Sequence, residues 1–480
     1  MSGLLSNHRS YRELAFVNRR PVEGSCTVGV SALIALRRQK LIFSQHNNGS
    51  ESNKSADFVY YDDEDDSSSD YEGDEGFLPF GGDSVSCNFA DCLMNRELGL
   101  DRCGFQRMRL TSEYGTRHML SNAMLREYPL SVPDMNKVFS SQWLSYRQVV
   151  FGTKCNKLMV YDVNTRHLDQ IPSLASSNSN NSSQSHCGIH SIQINPSRTL
   201  LATGAKNTHD IAVYRLPTLD PVCVGENAHE DWIFDIAWLD DQFLVSGSRD
   251  GSLALWRITD EMIQKVANSE IPSHLSIKPL SKKHCKSAQR VRSLCYNERS
   301  QEVVAISGNG FIHCWNALKF KQLMSKKLPH SVENVCLSTD EDSTMYAVGS
   351  KANTDLLDAR TLQAIRKISS RHNGYGIRSV SFKGNILTIG TGLGMILFWD
   401  LRAGKFLEST MNSNRAVSLK TSKGWLRREE HYLHNEPLNV ALRYSPAIYT
   451  HCYDISGTRL FAAGGPLESD AMGNYVGLFQ

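Results

Sequence analysis

Residues Asp231 to Thr259 read DWIFDIAWLDDQFLVSGSRDGSLALWRIT. Three runs stand out, WIFDIAW, QFLVSGS and SLALWRI, each rich in β-branched and aromatic residues. Between them lie Leu239-Asp240-Asp241 and Arg249-Asp250-Gly251, whose short polar side chains and glycine favour tight reversals. A helix would need apolar residues at three- to four-residue intervals over a longer window, and none of the runs has them. The stretch predicts three consecutive antiparallel strands.

Its borders say what the three strands belong to. Ala228-His229 upstream and Leu255-Trp256-Arg257 at the close match the opening and closing signals of a WD40 repeat. Such a repeat folds as one four-stranded blade of a β-propeller. His229, Ser246, Asp250 and Trp256 stand where the repeat buries a hydrogen-bond tetrad: Asp250 orients the imidazole, whose other nitrogen reaches a hydroxyl and then the indole N–H. Buried polar groups in a blade must be satisfied in this way. Ser, His and Asp here use their hydrogen-bonding capacity on one another, so the tetrad reads as structural rather than catalytic.

The blade recurs. Aligned on it, seven repeats run from about residue 136 to the last residue, among them GIHSIQINPSRTLLATGAKNTHDIAVYRL, VRSLCYNERSQEVVAISGNGFIHCWNAL and GIRSVSFKGNILTIGTGLGMILFWDLRAG. The expected fold is all-β, a seven-bladed WD40 propeller with insertions near 259–289 and 405–447, the first read as a surface loop. The chain stops at the third strand of blade seven, and an open edge there invites aggregation. A strand near Glu127 to Val132 is expected to close it. Residues 111–135 thus hold that strand and, before it, a short amphipathic helix over Thr111 to Tyr128 with Ser112 as N-cap. The helix either packs on the propeller or docks on a partner.

Residues 1–110 read differently. Gly49 to Gly76 holds eleven acidic residues and one lysine; this stretch is too polar to fold and is expected to be a disordered extension. Because the net charge of the whole chain is only +2, the remainder is basic. The basic pairs Arg19-Arg20 and Arg37-Arg38 read as solvated surface. The longest apolar run, Thr27 to Leu36, is too short for a bilayer span, and MSGLLSNHRSYREL lacks the order of a secretory signal. A soluble protein of cytoplasm and nucleus is expected. The twelve cysteines form no CxxC pair, so disulfides and a zinc site are not expected. GTGLG at Gly390 to Gly394 runs into another strand and lacks the helix N-terminus that phosphate binding needs. No metal, cofactor or catalytic group is expected; the chain does not read as an enzyme.

The repeats align their loops as well as their strands. Two residues past the glycine that closes each second strand stand Lys154, Lys206, Arg249, Gly310, Lys351, Gly392 and Pro466. At the start of the first strands come Arg292 and Arg378, with Arg290 and Lys137 beside them and Glu333 as the one acid. Both columns belong to the same end of the propeller. Like charges converging on a funnel repel unless an anion neutralises them, and arginine matches a carboxylate bidentately. A narrow axial funnel suits an acidic peptide or chain end better than nucleic acid, which favours a broad stripe with interleaved aromatics.

Blade six ends in Trp399-Asp400-Leu401-Arg402, and blade five in a degenerate copy, Leu357-Asp358-Ala359-Arg360. With NKVFSSQWL, QVVFGTKCN, YRLPTLDPVCVG, DWIFDIAW, VSGSRDGS, KGWL, THCYD and GNYVGL, these motifs resemble the cullin-4-associated factor family, WD40 substrate receptors of cullin-4 RING E3 ubiquitin ligases, at its twelfth branch. The likeness covers roughly residues 113 to 480. It implies a substrate-recognition subunit that binds the ligase's triple-propeller adaptor, and through it cullin-4 and the RING subunit, and that captures protein C-termini ending in two glutamates. The substrate pocket it implies is Lys137, Lys154, Arg249, Arg290, Arg292 and Arg378, with Lys206 and Lys351 nearby; Arg290 stands where the family has lysine. Adaptor binding is implied for Arg402, Asp400, Trp399 and Arg360. A scaffold that binds internal acidic or phosphorylated segments without a ligase is the other reading of the same funnel.

Overall fold

The computed structural model describes residues 89–98, 105–132, 134–177, 188–268, 273–370, 375–412, 415–426, 445–469 and 471–480. The acidic segment lies outside them. Seven sheets, antiparallel except for one strand pair in blade two, follow one another along the chain. Each begins with a strand that packs on the first strands of its neighbours and ends with a more exposed outer strand, the arrangement of a seven-bladed propeller. In blade three the sequence-predicted runs become Ile233–Trp238, Phe243–Ser248 and Ser252–Arg257, paired in that order.

The insertion near 259–289 is not a loop. It forms a helix, α1 at Asp260–Ala267, capped by Thr259, then the strand Leu275–Ile277, which pairs in parallel with the last strand of blade two. The strand Ser281–His284 follows as the outer strand of blade three. The reason is edge satisfaction: Ser252–Arg257 would otherwise end its sheet with unpaired amides and carbonyls. The second insertion also adds strands, Ser418–Lys420 to blade six and Trp425–Leu426 to blade seven.

Blade seven is closed from the other end of the chain. Glu127–Pro129 pairs antiparallel with the chain's last strand, Gly473–Phe479. The Glu127 carboxylate accepts hydrogen bonds from the Ser422 amide at 2.9 Å, the Ser422 hydroxyl at 2.8 Å and the Tyr475 hydroxyl at 2.7 Å. One side chain thus ties the closing strand, the second insertion and the C-terminal strand together.

Among the described residues, two helices precede the closing strand, Phe89–Leu98 and Phe105–Ser121. The second starts before the expected Thr111 and ends before Tyr128. Ser112 is therefore inside it, and its hydroxyl is buried without acting as a cap. This helix lies across the ends of blades five to seven. Arg109 pairs with Glu341 at 2.6 Å, the Asn385 amide groups donate to Glu113, Thr116 donates to the Gly457 carbonyl at 2.7 Å, and Leu120 enters the core between blades six and seven.

The core consists of strips between adjacent blades, built from alternating inward residues such as Leu244, Ala254 and Trp256. Burial pushes the thiols of Cys223, Cys285, Cys314 and Cys336 up to about 12. They act as small apolar fillers rather than nucleophiles.

Candidate functional site: a cationic cavity on the propeller axis

The first strands carry a repeated irregularity. In five blades the pairing with the second strand skips one residue: Phe139, Phe234, Arg292, Arg378 and Tyr449. A bulged residue has no partner across the ladder and its side chain leaves the normal alternation. Here it turns to the axis. Together with His190 of blade two and Val335 of blade five, these residues line one cavity of about 230 Å³. Each blade gives one residue.

The ring has two halves. Tyr449, Phe139, His190 and Phe234 form an aromatic arc: Phe139 meets Tyr449 edge-on at 5.4 Å, stacks on His190 at 4.4 Å, and His190 meets Phe234 edge-on at 4.8 Å. The arc ends at Arg292, whose guanidinium lies 4.6 Å from the Phe234 ring centre. Arg378 stands two blades further on. Below the ring a polar belt joins the inner strands, with Asp235 accepting from Ser191 and Ser293, both at 2.7 Å. Desolvation pushes the Asp235 carboxyl up, against the hydrogen bonds that favour its charged form.

The other predicted cations do not line the cavity and stand in different states. Lys137 is only 3% exposed. Its ammonium donates to the Glu468 carbonyl, and that of Lys154 to the Ser469 carbonyl at 3.0 Å. Both therefore grip the turn before the last strand of blade seven. Arg249 lies 4.7 Å over Trp232 and 3.7 Å from Asp231. Arg290, Lys206 and Lys351 are exposed. The amides of Lys154, Arg249, Gly308 and Gly392 bond the carbonyls of Lys137, Trp232, Arg290 and Gly376. These equivalent bonds put Gly308, not Gly310, in the blade-four position of the turn column. The Ile448–Gly464 pairing likewise puts Gly465, not Pro466, in that of blade seven.

The tetrad of blade three has an extra member. His229 shares Nε2 with the Ser246 hydroxyl at 2.7 Å, and Trp256 donates to the same oxygen at 2.8 Å. Nδ1 meets the Ser252 hydroxyl at 3.0 Å, which in turn donates to Asp250 at 2.6 Å, while His229 and Asp250 stand 3.5 Å apart. Burial opposes ionisation of Asp250, but hydrogen bonds from His229, Ser252 and the Glu230 amide outweigh it and hold the carboxyl well below its usual range.

At the opposite end, Trp399 and Asp400 are buried. Asp400 accepts from Arg117 of the second N-terminal helix and from the Arg402 amide at 3.0 Å. Burial again opposes its ionisation, and Arg117 with the two turn amides overcomes it. Trp399 meets Phe406 edge-on at 5.0 Å. Both side chains hold the turn that exposes Arg402. Asp358 caps the blade-five turn in the same way, accepting from the Arg360 amide at 3.0 Å, and Arg360 is exposed. The helices expose Met94, Leu110 and Tyr114.

The motif pairs Asp358/Arg360 and Asp400/Arg402, the adjoining helix and the seven-residue cavity stand together on one propeller, and residues 121–480 match the DDB1- and CUL4-associated factor 12 beta-propeller family. The chain belongs to that family. The family match begins at the end of the second N-terminal helix and includes the closing strand Glu127–Pro129, so the closure of blade seven is part of the family domain.

Sequence reasoning missed the aromatic arc. Its signal was present as a repeated triplet of an aliphatic residue, a variable one and a small polar one: Val138-Phe139-Ser140, Ile189-His190-Ser191, Ile233-Phe234-Asp235, Val291-Arg292-Ser293, Ile377-Arg378-Ser379 and Ile448-Tyr449-Thr450. Strict alternation hides it, because the bulge shifts the period by one.

Proposed function

We propose that this protein is the substrate-recognition subunit of a cullin-4 RING ubiquitin ligase, holding the adaptor DDB1 at one end of the propeller and capturing acidic C-termini, twin glutamates above all, at the other. Family membership supports the ligase link. The observation that carries the substrate class is the axial cavity, in which Arg292 and Arg378 flank a space of about 230 Å³ with an aromatic wall opposite. A terminal glutamate offers two carboxylates on a short apolar stem. Arginine forks match the carboxylates and aromatic faces cover the methylenes. The role is bridging, with ubiquitin transfer left to the RING subunit.

Peptide binding tests this. A peptide ending Glu-Glu should bind the intact protein, and Arg292→Ala and Arg378→Ala should each weaken it about tenfold or more, as loss of one partner of a desolvated charge pair does. Amidating the terminal carboxyl should weaken it similarly. Unchanged affinity in both variants would remove the cavity from the reading, and equal binding of the amidated peptide would favour internal acidic segments as ligands.

A further inference from the structure

Arg378 is not simply a cation awaiting an anion. Its Nη2 donates to the Glu333 carboxylate at 3.1 Å. Glu333 is 40% exposed in its side chain and Arg378 17%, so the pair sits at the inner edge of the mouth. The Arg378 Nε is buried and has no hydrogen-bond partner among the described residues. A guanidinium with one arm on a carboxylate and its Nε unsatisfied is a half-used fork.

The backbone is shaped to make this arrangement. Glu333 has φ +57, in the left-handed region that costs a β-carbon residue about 1 kcal/mol or more. The site next to Arg378 is Gly376, also at positive φ; a Cβ there would lie 2.9 Å from Arg378 Nη2 and 3.0 Å from Cζ. The guanidinium therefore rests on the glycine, and the strained turn of blade five brings a carboxylate to it from the neighbouring blade. Arg292 stacks on Phe234.

We propose that Glu333 is the specificity-determining residue of the cavity: its carboxylate holds, in the free protein, the place on Arg378 that a ligand carboxylate takes, so that only a ligand able to displace it gains the full fork. This inference rests on the reading that the cavity binds acidic peptides. A resident carboxylate bars neutral or weakly accepting groups from Arg378 and yields only to a ligand that delivers a full carboxylate there. Selectivity by such a built-in competitor is a difference between two affinities rather than a gain in either. The twin-glutamate end supplies three carboxylates and can meet both arginines at once.

The test is a double-mutant cycle with fluorescent peptides ending Glu-Glu, Gln-Glu and Glu-Gln. Glu333→Gln keeps the size and removes the charge. It should tighten Glu-Glu binding by roughly five- to tenfold and should do so only where Arg378 is present; in Arg378→Ala, adding Glu333→Gln should change nothing. A loss of affinity in Glu333→Gln would mean that the acid positions Arg378 instead, and would overturn the proposal. So would an equal gain in the Arg378→Ala background, which would mark a general relief of negative charge. No change in either background overturns it too. If no peptide binds the unmutated protein, the underlying acidic-peptide reading fails; if the peptide binds and depends on Arg378 but not on Glu333, only this inference does. A thermal melt of each variant, expected within a few degrees of the parent, checks that the fold is intact.

Discussion

Histidines buried in the blades make the fold sensitive to acid at the level of single residues. His313 lies between the Ser325 hydroxyl at 2.8 Å and the Ser307 hydroxyl at 2.9 Å, and His451 between Ser379 and Ser381 at 2.8 and 2.7 Å. Desolvation pushes both imidazoles down, from an ordinary 6.5 to about 4. The sign follows directly. Below pH 6.5 the unfolded chain takes up a proton at each site while the folded one does not until about pH 4, so stability falls as pH drops through that window, by about 1.4 kcal/mol per pH unit for each histidine. Denaturant melts at pH 7, 6 and 5 should give a falling midpoint, and a flat profile over that range would contradict neutral burial of the two rings. Sequence already marked His229 with Ser246, Asp250 and Trp256. It did not mark Ser252, because a hydroxyl two residues past an aspartate looks like any turn residue until the strand places it between Asp250 and the ring.

At the scale of elements, Glu127–Pro129 supplies the outer strand of blade seven, so that blade is built from segments before blade one and after blade six. The carboxylate contacts explain why so short a strand suffices: Glu127 satisfies Ser422 and Tyr475 together. Glu127→Ala strands those donors and should cost about 2 kcal/mol, the penalty of leaving buried groups unsatisfied. That would appear as a lower thermal midpoint, with Glu127→Gln intermediate; an unchanged midpoint would show that the backbone pairing alone closes the ring. Runs of β-branched and aromatic residues bounded by turn residues, such as those of blade three, were legible because residue type and burial agree along them. The strands at Leu275–Ile277 and Ser281–His284 were not. SKKH has no apolar face, and it becomes a strand because an edge next to it needs partners, which is a property of the neighbour rather than of its own residues.

Across the whole molecule, the two ends of the propeller carry different kinds of surface, a cationic cavity where the inner strands begin and a helix-covered end where they leave. The proposed bridging role needs the two to act independently. Arg402→Ala should lose DDB1 in a pull-down yet keep peptide affinity, and Arg378→Ala should do the reverse; a variant that lost both would place the two surfaces in one site. The blade count, the all-β class and the cationic bias of two loop columns could be read from residue types alone, because repeats impose the same local physics seven times. What only the tertiary structure decided is how those cations are used. Lys137 and Lys154 hold a main-chain turn, Arg378 is paired to Glu333, and Arg292 leans on an aromatic arc. Each partner comes from a different blade, distant in sequence, and is brought within hydrogen-bonding or stacking distance only when the ring closes and the bulges of five first strands turn their side chains to one axis.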